Sequence, residues 1–86
     1  MPEVFRLYGF SYYFYSSEHE PVHVHVEGKG GKAKFVWNGK AFDLYESQGL
    51  KTAEIRRIQR VIDENAELIT TRWYDYFRNS IDERGL

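Results

Sequence analysis

The sequence predicts an α+β domain: an antiparallel meander of four to five strands, followed by a C-terminal helical segment of one long helix or two that packs on one sheet face. Before about residue 50, short runs rich in Val, Phe and Tyr are punctuated by glycine: EVFRLY, FSYYFYS, VHVHVE, KAKFVW and KAFDLY. After it, Ile55, Ile58, Ile62, Ala66, Ile69, Trp73 and Phe77 recur at steps of three and four, which is one apolar stripe of a helix. The 86 residues leave room for one domain, and a 42% hydrophobic, 17% aromatic composition supplies a core and argues against disorder. A single domain over 1–86 is expected, with strands in 3–46, helix in 52–79 and a frayed tail over 80–86.

Turn chemistry sets the expected register. Asn38-Gly39 is a strong signal for a two-residue hairpin, which places Trp37 opposite Lys40, Phe35 opposite Phe42, Lys34 opposite Asp43 and Ala33 opposite Leu44. A four-residue loop over 28–31, read as a mobile connection, places Glu27 opposite Lys32, Val26 opposite Ala33, His25 opposite Lys34 and Val24 opposite Phe35. Both hairpins sort apolar from polar residues in the same way, and a slip of one residue in either would set valines against lysines. For the helical half, Thr52 is the expected N-cap with Glu54 in the first turn. An uninterrupted helix of about 26 residues would run roughly 39 Å, long beside strands of about 20 Å, so a kink or break is expected near Asn65.

Alternation then divides the side chains. Val22, Val24, Val26, Ala33, Phe35, Trp37, Phe42 and Leu44 share the face for the helical stripe, joined by Phe5, Leu7, Phe10, Tyr12 and Phe14. The other face holds His23, His25, Glu27, Lys32, Lys34 and Asp43, with Tyr13 and Tyr15 and, beyond them, Arg6 and Tyr8. An antiparallel sheet can leave such a face in water.

Several function classes find no support. Without cysteine there is no disulfide framework, thiolate zinc site or Cys nucleophile. The opening MPEVFRLYGF resembles neither a signal peptide nor a membrane span, so a soluble cytoplasmic protein with no membrane association is expected. A net charge of -1 gives no global attraction to nucleic acid or anionic lipid. Ser16, Ser17 and Ser47 lack a base and acid at a telling spacing, GKGGKAK misses the phosphate-loop pattern, and Arg56, Arg57 and Arg60 are offset by Glu54, Asp63, Glu64 and Glu67.

From about Pro2 to Phe77, FYSSEHEPVHVHVEGKGGKAKF followed by ITTRWYDYF resembles the small bacterial proteins of the domain-of-unknown-function family numbered 4160 (DUF4160). A loop histidine, a proline and His-x-His on a strand are matched by His19, Pro21, His23 and His25. Val22 stands where the family often has a second proline, so the entry of the loop is less constrained. The resemblance implies one half of a two-gene module of toxin-antitoxin type, with a small partner protein encoded nearby, and carries over no activity.

The residues support three kinds of chemistry. Metal-free RNA cleavage needs a base, an acid and a cation; His23 and His25 suit the proton transfers, Lys34 the phosphorane charge, Lys32 phosphate binding, and Tyr13 and Tyr15 base stacking. No cofactor is required. A binding module would use the same face, or a free edge strand, for RNA or a partner protein, and homodimerisation is a further expectation. A metal site has two imidazoles about 7 Å apart, but Glu27 lies roughly 13 Å from His23 and Lys34 opposes a cation, so His19 or Asp43 would have to complete it. Against all three stands the plain reading of the histidines as cross-strand surface residues, with Lys32-Glu27 and Lys34-Asp43 as ordinary ion pairs.

Overall fold

The computed structural model describes residues 3–14 and 21–85, with side chains as far as residue 77. Five strands, β1 (Glu3–Leu7), β2 (Phe10–Tyr13), β3 (His23–Gly28), β4 (Gly31–Trp37) and β5 (Phe42–Gln48), precede two helices, α1 (Thr52–Glu64) and α2 (Ala66–Gly85). Each strand pairs antiparallel with its sequence neighbour in the order β1-β2-β3-β4-β5. The expected meander followed by helices is therefore the architecture, and β1 and β5 are its edges.

The core lies where the alternation puts it. Val22, Val24, Val26, Ala33, Phe35 and Phe42 are buried with Phe10, Tyr12 and Phe14, and Ile58, Val61, Ile62, Ile69 and Trp73 close over them from the helices. Trp37 and Phe5 pack at its margin. Leu7 and Leu44, assigned to this face, sit on the edge strands and remain 39% and 40% exposed. Exposure varies along the edge strand itself: Phe42 is buried, while Leu44, the cross-strand partner of buried Phe35, is left wet.

Two-residue turns with positive φ at both central residues, the type I′ geometry, connect β1 to β2 and β3 to β4. They are Tyr8-Gly9, with φ of 55° and 82°, and Lys29-Gly30, with φ of 52° and 80°. Gly28 and Gly31 belong to the strands and pair with each other, so GKGG is a tight turn with a shorter loop than expected, on the register the sequence predicts. Gly31 is required by contact: a β-carbon there would lie 2.6 Å from Leu50 and 2.7 Å from the Gly49 carbonyl.

The β4–β5 register corrects the expectation drawn from Asn38-Gly39. Asn38 keeps an ordinary φ and closes the turn with its side chain, Oδ1 accepting from the Lys40 and Ala41 amides at 2.8 and 2.9 Å. The loop accordingly has four residues, and Trp37 pairs with Phe42, Val36 with Asp43 and Phe35 with Leu44. This shift of two keeps every side chain on its expected face. A β-bulge then intervenes beyond Phe35, so Lys34 faces Glu46 and not Asp43, and Ala33 faces Ser47 and not Leu44.

The helices break where expected. Asn65 ends α1, its side-chain amide donating to the Val61 carbonyl at 2.8 Å. At the other end Lys51 is the N-cap, one residue before the expected Thr52, because Glu54 reaches back to accept the Lys51 amide at 2.9 Å.

Two outcomes follow. Gly31→Ala should lower stability by roughly 1–3 kcal/mol, read as a lower denaturation midpoint at constant slope, because the new methyl meets backbone. Tyr12 has a hydroxyl without a hydrogen-bond partner among the described residues, and burial, aided by nearby Tyr8, pushes its phenol up to about 12. A folded-state value above the usual 10 stabilises the fold fully below pH 10, and that contribution drains away as pH climbs toward about 12. Stability followed from pH 9 to 12 should show this loss in the wild type and a smaller one in Tyr12→Phe.

Candidate functional site

The open sheet face carries residues from four strands in transverse rows. In one row Tyr13 pairs with His25, His25 with Lys34 and Lys34 with Glu46; in the next Ser11 pairs with Glu27, Glu27 with Lys32 and Lys32 with Gln48. These pairings follow from the hydrogen-bonded ladders, so the constellation is positioned by backbone and not by flexible loops. Tyr13, His25, Lys32, Lys34, Glu46 and Gln48 line an open cleft of about 320 Å³.

Local contacts orient the members. Tyr13 is almost buried, stacks on His25 with ring centroids 5.5 Å apart, and donates its hydroxyl to Glu27 Oε2 at 3.1 Å. Lys34 Nζ lies 4.9 Å from the centroid of Tyr45, the residue that the bulge displaces. The expected pairs Lys32-Glu27 and Lys34-Asp43 are not ion pairs here; among the described residues the one ion pair is Arg6 with Glu3, at 3.0 Å. Ser11, ahead of Arg6, holds the exposed Glu3 carboxyl below its ordinary range by donating its hydroxyl.

His23 departs most from its expected setting. It is only 7% exposed, and the ring of Trp73 from α2 lies 5.1 Å from the imidazole. Nδ1 lies 2.7 Å from the Pro21 carbonyl, which can only accept, so Nδ1–H is the donor of that hydrogen bond. The His25 ring stands edge-on to it at 5.4 Å. The pair is thus one partly accessible imidazole backed by one that the helix has roofed.

Asp43 does not join them. It shares a row with Val36 and His23, two strands or about 9.6 Å from the latter, and accepts from the Asn38 amide at 2.8 Å. Tyr15 and His19 lie outside the described residues. Among those described, no three His, Asp or Glu side chains converge as metal ligands, and no helix is long and apolar enough to cross a membrane.

The residues matched by family comparison include this whole arrangement. A model described as domain of unknown function (DUF4160) covers residues 9–74. The chain belongs to the DUF4160 family. That span runs from the turn before β2 to the first two turns of α2, so it contains Tyr13, both strand histidines, both lysines and Trp73 of the DUF4160 domain. No curated protein and no solved structure matches the chain.

Sequence reasoning missed three neighbours. Glu46 and Tyr45 enter through the bulge, which has no glycine to announce it, and Trp73 was readable only as part of an apolar stripe. Tyr13→Phe should cost about 1 kcal/mol by releasing Glu27, with the fold otherwise unchanged, as measured by chemical denaturation and circular dichroism. A cost below experimental error would mean that Glu27 finds an equivalent partner in water.

Proposed function

We propose that the open face of this DUF4160 domain engages single-stranded RNA, as the toxin-like member of a two-gene module. The observation that supports it is the in-register row Tyr13–His25–Lys34, which sets a stacked aromatic pair beside a cation. Bases of single strands stack on such rings; here His25 is the accessible one and Tyr13 backs it, while an ammonium satisfies the phosphate that follows. The cleft has the size of one small-ligand unit, so contact is with a nucleotide or two and not with a duplex. Glu27 and Glu46 balance Lys32 and Lys34 on this face, so recognition there rests on short-range contacts more than on long-range attraction.

A second reading, cleavage of that RNA without metal, is favoured by the closeness of the two imidazoles, whose ring centroids lie 5.4 Å apart. His23 would take a 2′-hydroxyl proton, His25 in its protonated form would give a proton to the leaving 5′-oxygen, and Lys34 would stabilise the phosphorane. The products would be a 2′,3′-cyclic phosphate and a free 5′-hydroxyl. Residual exposure of His23 is small, so this chemistry requires the substrate to reach it past His25.

Anisotropy titration of a labelled ten-nucleotide RNA should show His25→Ala combined with Lys34→Ala weakening binding about tenfold or more, in line with roughly 1–3 kcal/mol per stacked base. Unchanged affinity in that double variant would remove the open face from consideration. Cyclic-phosphate ends that vanish in His25→Ala at unchanged thermal midpoint, and in His23→Ala with the fold retained by circular dichroism, would establish the second reading; binding without such ends leaves the first alone.

A further inference from the structure

We infer that the tip formed by the β1–β2 and β3–β4 turns, together with the neighbouring face of α1, is a second nucleic-acid contact, at which Tyr8 stacks a base between the cations Arg57 and Lys29. Choosing RNA as the ligand rests on the reading of the open face given above, while the tip itself is argued from other observations.

The first observation is backbone strain at an exposed position. Tyr8 occupies the first central position of a type I′ turn at φ 55°, a site that favours Asn, Asp or Gly and that a bulky side chain rarely accepts. Its ring does not compensate by joining the core: Tyr8 is 56% exposed. Lys29 repeats the pattern at φ 52° in the adjacent turn. Strained non-glycine residues persist where another demand holds them, and they cluster at ligand contacts.

The second observation is what surrounds the ring. The Arg57 guanidinium lies 5.2 Å from the Tyr8 centroid, and Lys29 reaches past Gly9 to place Nζ 5.4 Å from the Phe10 centroid. Arg56, Arg57 and Arg60 are exposed on α1, and none of them, nor Lys29, is in an ion pair among the described residues. Two of the four carboxylates that balance them in composition are engaged elsewhere: Glu54 caps α1 at the Lys51 amide, and Asp63 accepts from Gln59 at 3.0 Å. An exposed aromatic ring with one cation at 5.2 Å and a second cation on the neighbouring turn matches alternating base and phosphate along a single strand better than it matches an acidic peptide, which has no base to stack. The tip supplies the electrostatic attraction that the charge-balanced open face lacks.

The test replaces the strained residues by ones the turn prefers. Tyr8→Asn and Lys29→Asn should keep or raise the thermal midpoint, by up to about 4–8 °C for a domain of this size, while each weakens binding of a labelled ten-nucleotide oligouridine about five- to tenfold. Arg57→Gln, which leaves the turns intact, should weaken it similarly and reduce the salt slope by about 0.7. Unchanged affinity in Tyr8→Asn or Arg57→Gln would overturn the proposal, as would competition by polyglutamate at the concentration at which unlabelled oligouridine competes, or absence of oligouridine binding by the wild type. Loss of binding in the tip variants with full binding in His25→Ala/Lys34→Ala would uphold the tip and reject the open face; the converse would do the opposite.

Discussion

The three valines that enter and run along β3 hold the rest of the molecule in place. Val22, Val24 and Val26 are 2%, 0% and 0% exposed, on the middle strand of five, with the helices on one side and two strands on either flank. Burying each is worth roughly 1.5–3 kcal/mol, and because a strand has period two, the same burial commits the intervening residues to the opposite side. His25 faces away from the helices because Val24 and Val26 on either side of it face inward, and Glu27 does so because Val26 before it faces inward. The chemistry-bearing residues are therefore placed by apolar packing.

How much of this was legible depended on which device set each register. The β3–β4 pairing could be read because hydrophobic alternation on both strands admits one parity, and the pairing of His25 with Lys34 followed directly. The β4–β5 pairing was misread because Asn38 has two ways to close a turn, a positive φ or an acceptor side chain, and the sequence Asn-Gly does not say which. The face assignment survived since the error was an even number of residues. The bulge beyond Phe35 was invisible, and with it the placement of Glu46 and Tyr45 beside Lys34. The turns that do adopt the mirror-image geometry, Tyr8-Gly9 and Lys29-Gly30, carry a favoured glycine second but a disfavoured Tyr or Lys first, so preference gave a divided signal at both.

His23 shows the same limit at the level of tertiary packing. Its strand position was evident from the alternation, but its contact with Trp73, fifty residues later and beyond the break at Asn65, was not. A helical stripe tells which side chains are apolar and not how far past the sheet end they extend. The two histidines of one motif thus acquire different surroundings: one is fixed by a carbonyl and roofed by indole, the other is stacked on a tyrosine that is itself tied to a glutamate. Such an arrangement restrains ring orientation through packing and hydrogen bonds, which is what a pre-ordered contact surface requires.

The displaced residue on β5 bears on how the molecule coexists with copies of itself. A last strand exposed along nearly its whole length is a template on which another chain could extend the sheet and, by repetition, grow a fibre. Tyr45 interrupts that template: an incoming strand in step with 42–44 would be out of step with 46–48, and Asp43 and Glu46 would repel a second acidic edge. The irregularity that brings an aromatic ring to Lys34 also acts as a guard against polymerisation.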